Sequence, residues 1–488
     1  MRVRSLLHCL LVALGVAAWL IGAETSARAV PSFARQAGVS CEACHTSYPE
    51  LTPFGRLFKL NGYVMSIEPQ IGAGSQNLSI NNQLPISAMM VFSYSQLAIP
   101  DDDTTPSAGQ AASPPACGGA KQPACGGLQD VHNTNDAVLF PQQFSLFYAG
   151  RITPNMGTFL QVTYDGTANT FSMDMTDIRI ADSVSLGGSQ MVYGLTLNNT
   201  PGVQDLWNTL PAWGFPFASS PLTPSSVASI QLDGNLAQQV AGLGAYFGWQ
   251  KESWLYYGEL TFYKSAFLGA APPINTASKL NDQQLNVIQD GAPYIRLAAE
   301  KNFGSATWEF GALQMDAAYV PYGDVQAAIN SGQTLTSLSA NHFTDTGFDT
   351  QFQYLESEHL VTLKALVLHE DNQWGSLSAQ NHVKSTTSLD TQRLTAQYVY
   401  NHKYGIFVQS FSTTGTKDFE TRTGAPDTSG TIVELVYTPY LNTRFSLAYT
   451  MFDQFNGSSS KFDNLTGSGE GRDAADNNTL YLVGWLMF

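Results

Sequence analysis

The stretch TQRLTAQYVY (391–400) decides the fold of this chain, because its side chains alternate in character from end to end. One set of alternate positions is apolar or aromatic: Leu394, Ala396, Tyr398 and Tyr400. The intervening set is polar: Arg393, Thr395 and Gln397. A period of two puts the sets on opposite faces of a β-strand. The run exceeds the usual strand of about five or six residues, which argues against an ordinary sandwich with one wet face.

A strand of roughly ten residues, tilted near 45°, has the length that crosses an outer-membrane core of about 25 Å. GFDTQFQY (347–354) and TRFSLAYTM (443–451) repeat the pattern. We predict an all-β fold, a 16-stranded antiparallel transmembrane β-barrel, with 14 or 18 strands as the alternatives. The predicted strands cover 84–96, 143–152, 157–165, 172–183, 190–198, 237–249, 253–264, 292–301, 305–316, 346–355, 358–369, 389–400, 404–414, 429–438, 442–453 and 478–488.

The connections between these strands alternate between short turns and long loops, with 166–171 as a brief exception. The long connections are 97–142, 199–236, 265–291, 317–345, 370–388, 415–428 and 454–477. Outer-membrane barrels keep short turns on the periplasmic side and long loops outside. An even strand number then places both barrel ends in the periplasm and the long loops outside the cell.

Residues 1–29 have the features of an export signal: Arg2 and Arg4, an apolar run, and a final Ala27-Arg28-Ala29. After them the sequence offers no run of about 20 apolar residues, so a helical membrane protein is excluded. The formal net charge is −16, and charged residues make up 13% of the chain. This acidity disfavours nucleic acid as a partner, and the low charge content suits a wall in contact with outer-membrane lipid.

Cys41-Glu42-Ala43-Cys44-His45 matches C-x-x-C-H, the attachment motif of c-type haem. Two thiols bond to the porphyrin edge, and the adjacent His45 lies under the ring as the proximal iron ligand. A zinc ribbon needs a second C-x-x-C pair, and a thioredoxin-like dithiol needs a βαβ context; the sequence has neither. We therefore predict one covalent haem c held by Cys41, Cys44 and His45.

The distal iron ligand is open at this stage, and Met65 is the nearest methionine that could fold back onto the iron. Other methionines lie on predicted strands, where packing is the commoner role: Met89, Met90, Met173 and Met175. The cytochrome segment, 30–80, is too short to bury a haem by itself. We predict that it forms a plug in the lumen of the barrel (81–488), which at 16 strands is wide enough.

Val30–Tyr63, VPSFARQAGVSCEACHTSYPELTPFGRLFKLNGY, together with the barrel that follows, resembles the fused mono-haem cytochrome–porin family of iron-oxidising bacteria. The specific motif is confined to 31–63, and relatives occur in bacteria not known to oxidise iron. The resemblance implies Cys41 and Cys44 as haem attachment sites and His45 as proximal ligand. It also implies an iron:cytochrome c oxidoreductase that oxidises extracellular Fe(II) and passes electrons to a periplasmic c-type cytochrome or copper protein.

Three functions compete at the level of sequence. The first is this Fe(II) oxidase, an electron-transfer chain with no catalytic residue beyond the haem. The second is a haem-bearing conduit for another extracellular donor or acceptor. The third is a transport porin whose haem is structural or sensory.

Several loop residues are further candidates. Asp101, Asp102 and Asp103 could gather Fe²⁺ at the mouth, although solvated loop carboxylates are commoner. His342, His369 and His382 are weaker candidates of the same kind. Cys117 and Cys125 are predicted to form a disulfide; a metal site is the alternative, for which only His132 offers a nearby ligand.

Overall fold

A computed structural model of the chain describes residues 31–65, 70–71, 80–81, 84–99, 135–265, 286–321, 325, 330–331, 339–375, 382–419, 421–465 and 471–488. The described residues form a closed antiparallel barrel of 16 strands, which confirms the predicted fold class. The first eight strands are β1 Ile86–Leu97, β2 Asp136–Thr153, β3 Met156–Asp165, β4 Thr170–Leu186, β5 Ser189–Asn198, β6 Val240–Lys251, β7 Trp254–Ser265 and β8 Ala292–Asn302. The rest are β9 Ala306–Val320, β10 Asn341–Leu355, β11 His359–Gln373, β12 Thr386–Tyr400, β13 Tyr404–Gly415, β14 Thr428–Tyr437, β15 Thr443–Gln454 and β16 Thr479–Met487.

Two further pairings complete the barrel. A two-residue segment, Val287–Ile288, pairs with β9 in line with β8 and counts with that strand. Strand β16 pairs with β1 and closes the cylinder. Within the described ranges, no helix has the length and apolar character needed to cross a bilayer.

Every predicted strand corresponds to an observed one, but some are longer than predicted. Strand β2 begins at Asp136 rather than near 143, and β10 begins at Asn341 rather than near 346. The pairing of β1 with β2 is irregular between Val91 and Ser93 of β1, opposite Pro141 of β2. That irregularity interrupts the alternation on which the prediction depended.

The barrel wall is apolar outside and polar inside, the reverse of a water-soluble sheet. Phe348 and Leu394 point outward, each 60% exposed. On the same two strands Gln353 and Gln397 point inward and are buried. An exposed apolar belt around a polar interior is the arrangement of an outer-membrane barrel. The chain is therefore a protein of the bacterial outer membrane.

We expect Leu394→Arg to destabilise the barrel by about 2–4 kcal/mol, because it puts a charge on the lipid face near the middle of β12. The measurement is the free energy of unfolding in lipid bilayers. Val383→Arg is the matched control: Val383 is 95% exposed and lies outside the strands. Equal stability of the two variants would contradict a lipid-facing position for Leu394.

The connection between β5 and β6, residues 199–239, folds into the barrel and does not extend outside as predicted for 199–236. Residues 200–210 are buried throughout. Asp205 in this connection forms an ion pair with inward-facing Arg296 (3.3 Å), and Trp207 Nε1 donates to Glu300 (2.7 Å). The backbone N–H groups of Gln231 and Leu232 donate to Glu370 and Asp345 on the wall. We call residues 199–239 the lumen connection.

Candidate functional site

Residues 31–65, here called the N-terminal segment, lie inside the barrel at its short-turn end. The segment contains three helices, α1 Pro31–Ala37, α2 Cys41–Cys44 and α3 Pro53–Leu60. A ribbon of His45–Ser47 and Glu50–Leu51 lies between α2 and α3. Arg35 donates to the carbonyl of Ile86 at the start of β1 (2.5 Å), and Gln36 donates to the carbonyl of Ala149 on β2 (2.9 Å). Both contacts are close to the rim formed by the short turns.

Two ion pairs attach the segment to neighbouring strands on one side of the wall. Arg56 is 1% exposed and contacts Glu300 on β8 (2.6 Å); it also donates to Gln353 on β10 (2.8 Å). Glu50 is fully buried and contacts Lys364 on β11 (2.6 Å). Buried pairs of this kind fix position, because removal of one partner leaves the other charge unpaired in a dry interior.

The C-x-x-C spacing has a direct structural basis in α2. Residues three apart in a helix share one face, so Cys41 and Cys44 lie one turn apart on the same side. The helix ends at Cys44, and the backbone of the next residue, His45, is extended (φ −128°, ψ 135°). The motif therefore presents two sulfur atoms and one imidazole from a single turn of chain.

The hydrogen bonding of His45 leaves one ring nitrogen for a metal. Nδ1 lies 3.3 Å from the carbonyl oxygen of Pro49, which can only accept, so Nδ1 is the protonated nitrogen. Asn208 of the lumen connection donates to the same carbonyl (3.2 Å). Burial lowers the pKa of His45 to about 4, although hydrogen bonds with the backbone of Pro49 and Glu50 act in the opposite direction, so the ring is neutral at pH 7. A hydrogen bond from one ring nitrogen to a backbone carbonyl is the contact that orients many metal-binding histidines.

Helix α3 packs directly on the attachment turn. Thr52 caps α3 by accepting from Gly55 N–H, and its hydroxyl donates to the carbonyl of Ala43 (2.5 Å). A Cβ at position 55 would collide with the carbonyl oxygen of Cys44. These contacts explain why threonine and glycine occur in LTPFGR after the haem motif: the first closes the turn, and the second allows the close approach.

Cys41, Cys44 and His45 line one cavity together with Met65, the predicted distal ligand. The cavity opens to solvent, and the space between its walls together with that opening is about 820 Å³. Most of the other lining side chains are apolar or aromatic: Phe33, Ala34, Ala37, Val39, Phe58, Tyr63, Phe159 and Trp213. An apolar cavity with two thiols, an oriented imidazole and a thioether fits a haem c.

The lumen connection and α3 supply the polar part of the cavity lining. Lys59 on α3 and Asn208 and Trp213 of the connection lie there. Lys59 Nζ donates to the carbonyls of Val203 (2.7 Å) and Asp205 (2.6 Å). Burial, and then the Arg179 guanidinium, lower the pKa of Lys59 to about 7.

The remaining sequence candidates lie elsewhere. His342 and His369 are on the outward face of the wall, and His369 contacts Asp390 (2.8 Å) and Asp371 (3.4 Å). His382 stacks on Trp374 with ring centroids 4.0 Å apart. The three histidines therefore do not form one site. In the part of the chain that is described, no group of three or more His, Cys, Asp or Glu side chains is arranged to hold a metal ion.

Other candidates stay untested or have a packing role. Met89 is 3% exposed and packs in the apolar cluster that contains Cys41 and Trp485. Asp101, Asp102, Asp103, Cys117 and Cys125 lie outside the described residues, as do the predicted export signal and the final part of the predicted cytochrome segment.

Sequence reasoning missed the residues that hold the site in place. Glu50, Arg56 and Lys59 hold it there. The sequence feature that could have indicated them is the presence of charged residues so close to the C-x-x-C-H motif. The contribution of the lumen connection was also missed, although VQDLWNTLPAWGFPF (203–217) is unusually apolar for an extracellular loop.

Comparison with known proteins finds similar solved structures at low sequence identity. No protein-family model matches the chain, and no curated protein matches it in sequence. In structure the chain is similar to OmpF of Salmonella typhi (10% identity, TM-score 0.43, 83% of this chain and 98% of that chain). It is also similar to the anion-selective porin from Comamonas acidovorans (9%, 0.42, 83% and 98%) and to OmpT of Vibrio cholerae (9%, 0.40, 85% and 99%).

Proposed function

We propose that this chain is an outer-membrane electron-transfer protein that carries one c-type haem and conducts single electrons from extracellular Fe(II) to a periplasmic acceptor. The observation that carries the proposal is the shared cavity of Cys41, Cys44, His45 and Met65, with His45 oriented through its Nδ1 hydrogen bond. When bound, a haem supplies a one-electron Fe(III)/Fe(II) couple, which matches the oxidation of Fe(II) to Fe(III). No acid–base group or nucleophile is required.

The position of the cavity supports an electron acceptor on the periplasmic side. Cys41 and His45 also line a depression at the short-turn rim, together with His402, Thr443 and Met487. The attachment motif is therefore within reach of the face where the turns lie, which is periplasmic in barrels of this kind. A c-type cytochrome or a copper protein that docks there is the acceptor we propose.

The opposite end of the barrel supports a cationic donor. Exposed carboxylates lie near the strand ends on the side away from the short-turn rim: Asp136, Asp165, Asp371, Asp390 and Asp453. Negative charge raises the local concentration of cations, and carboxylate oxygens are acceptable ligands for Fe²⁺. The resemblance of Val30–Tyr63 to the cytochrome–porins of iron-oxidising bacteria gives the same substrate.

Anaerobic mixing of the purified, oxidised protein with Fe(II) tests the donor. We expect the absorption spectrum to change to that of ferrous haem c, because Fe(II) donates one electron per haem. Reduction of the same sample by dithionite is the control that the haem is competent. A spectrum that stays oxidised with Fe(II) but responds to dithionite would exclude Fe(II) and leave a conduit for another donor or acceptor.

A transport porin with a structural or sensory haem is the second candidate, because open aqueous channels are typical of barrels with 16 strands. The N-terminal segment and the lumen connection both lie in the lumen, which argues against free diffusion. Liposome swelling with small sugars separates the two functions. Rapid swelling would favour the porin, whereas swelling at the rate of protein-free liposomes favours the conduit.

A further inference from the structure

Lys59 differs from the other buried cations of the described chain in having no carboxylate partner. Five buried arginines each form an ion pair within 4.0 Å: Arg56, Arg179, Arg296, Arg444 and Arg472. Lys59 is 5% exposed, and among the described residues no carboxylate lies within that distance of its ammonium group. Buried lysines are rare unless they are paired. Asp177, Asp205 and Glu259 stabilise its charge from a longer distance, and the first two already form ion pairs with arginines. Direct contact with the Lys59 ammonium group is therefore left to an anion from a bound group.

The contacts of Lys59 leave part of the ammonium group available. Two of its three hydrogens go to the carbonyls of Val203 and Asp205, at 2.7 and 2.6 Å. Its Nζ lies 5.6 Å from the ring centroid of Trp213. Lys59, Asn208 and Trp213 line the same cavity as Cys41, Cys44 and His45, so the third hydrogen can serve an acceptor there.

We propose that Lys59 pairs with a propionate of the haem, an inference that rests on the proposed function. A haem carries two carboxylates on the edge away from its thioether-forming positions, and a buried carboxylate needs a cation and hydrogen-bond donors. Lys59 supplies the cation, and the Asn208 side chain lies on the same wall. Lys59 is a positioning residue that fixes the orientation of the ring and raises its reduction potential.

With a haem bound, Lys59 and Asn208 would hold its propionates on the side of the lumen connection. Cys41 and Cys44 would hold the thioether-forming positions, and Cys41 also lines the depression at the short-turn rim. The attachment residues, rather than Lys59, would then lie nearer to a periplasmic acceptor.

Lys59→Gln tests the pairing, because glutamine keeps a hydrogen-bond donor for the lumen connection and removes the charge. A nearby cation stabilises ferrous haem, which carries one more negative charge than ferric haem. We expect Lys59→Gln to shift the ferrous/ferric ratio about tenfold toward ferric at a fixed potential, or about 59 mV for one electron. Lys59→Arg should restore the ratio to within twofold of the wild type. Lys251→Gln, at an exposed lysine near the short-turn rim, is the matched control and should change it less than twofold.

A haem-loaded Lys59→Gln variant with a wild-type potential would overturn the pairing and leave the proposed function intact. A wild-type protein without haem would instead remove the proposed function. If Lys59→Gln does not assemble, redox-difference infrared spectra of wild-type protein labelled with ¹³C at the propionate carboxyls decide the question. Ionised carboxylate bands support the pairing, and bands of a neutral carboxylic acid at neutral pH overturn it.

Discussion

Replacement of both Cys41 and Cys44 by serine should abolish covalent haem attachment and, with it, every haem-dependent optical change on addition of Fe(II). Serine hydroxyls do not form the two thioether bonds, and His45 alone holds a haem only reversibly. The measurement is a haem stain of the denatured protein after electrophoresis, together with the spectrum of the native protein. We expect the barrel itself to assemble, because its wall pairs without contribution from α2.

Cys117→Ser with Cys125→Ser is the matched control, since it removes the other two cysteines of the predicted mature chain. This control should stain for haem like the wild type. Covalent haem in the Cys41→Ser, Cys44→Ser variant would show that the attachment site is elsewhere. Loss of haem in the Cys117→Ser, Cys125→Ser control, with haem retained in the Cys41→Ser, Cys44→Ser variant, would also show that the attachment site is elsewhere.

Arg56→Met should release the N-terminal segment from the barrel wall while the barrel stays closed. The substitution leaves Glu300 buried with one hydrogen-bond donor, Trp207 Nε1, and no cation. Removal of one partner from a buried ion pair costs about 3–5 kcal/mol. Hydrogen exchange in residues 31–65 is the measurement, and we expect faster exchange there than in the strands.

The double variant Arg56→Met, Glu300→Leu should recover much of the protection, because replacement of both charges by apolar groups removes the unpaired carboxylate. Arg393→Met is the control for a charge change in the lumen. Arg393 pairs with Asp233 of the lumen connection, and within the described residues no hydrogen bond or ion pair joins it to residues 31–65. Unchanged exchange in Arg56→Met would mean that the pair does not hold the segment in place.

The barrel was predictable from the sequence because its determinant is local. In β12 the alternation of Leu394 and Gln397 on opposite faces reports directly on lipid and lumen, and the same rule predicts most of the other strands; the last strand, 478–488, alternates poorly. The ends of β2 and β10 were not predictable in this way, since hydrogen bonding between strands continues beyond the lipid, where alternation is no longer required.

The C-x-x-C-H motif is also local, and its spacing alone predicts a haem site at Cys41, Cys44 and His45. Their environment depends on contacts across hundreds of residues, such as Arg56 with Glu300 and Glu50 with Lys364. Such pairs have no sequence signature, because many inward-facing carboxylates are equally plausible partners. The lumen connection was misplaced for a similar reason: its aromatic residues indicated burial, but the length rule for loops indicated the exterior.

Tandem mass spectrometry of the exported wild-type protein tests the central claim most directly. The account predicts that the peptide containing Cys41 to His45 carries the mass of one haem, bonded through both sulfur atoms. Unmodified thiols in that peptide, in protein purified from a host that attaches c-type haem, would contradict it.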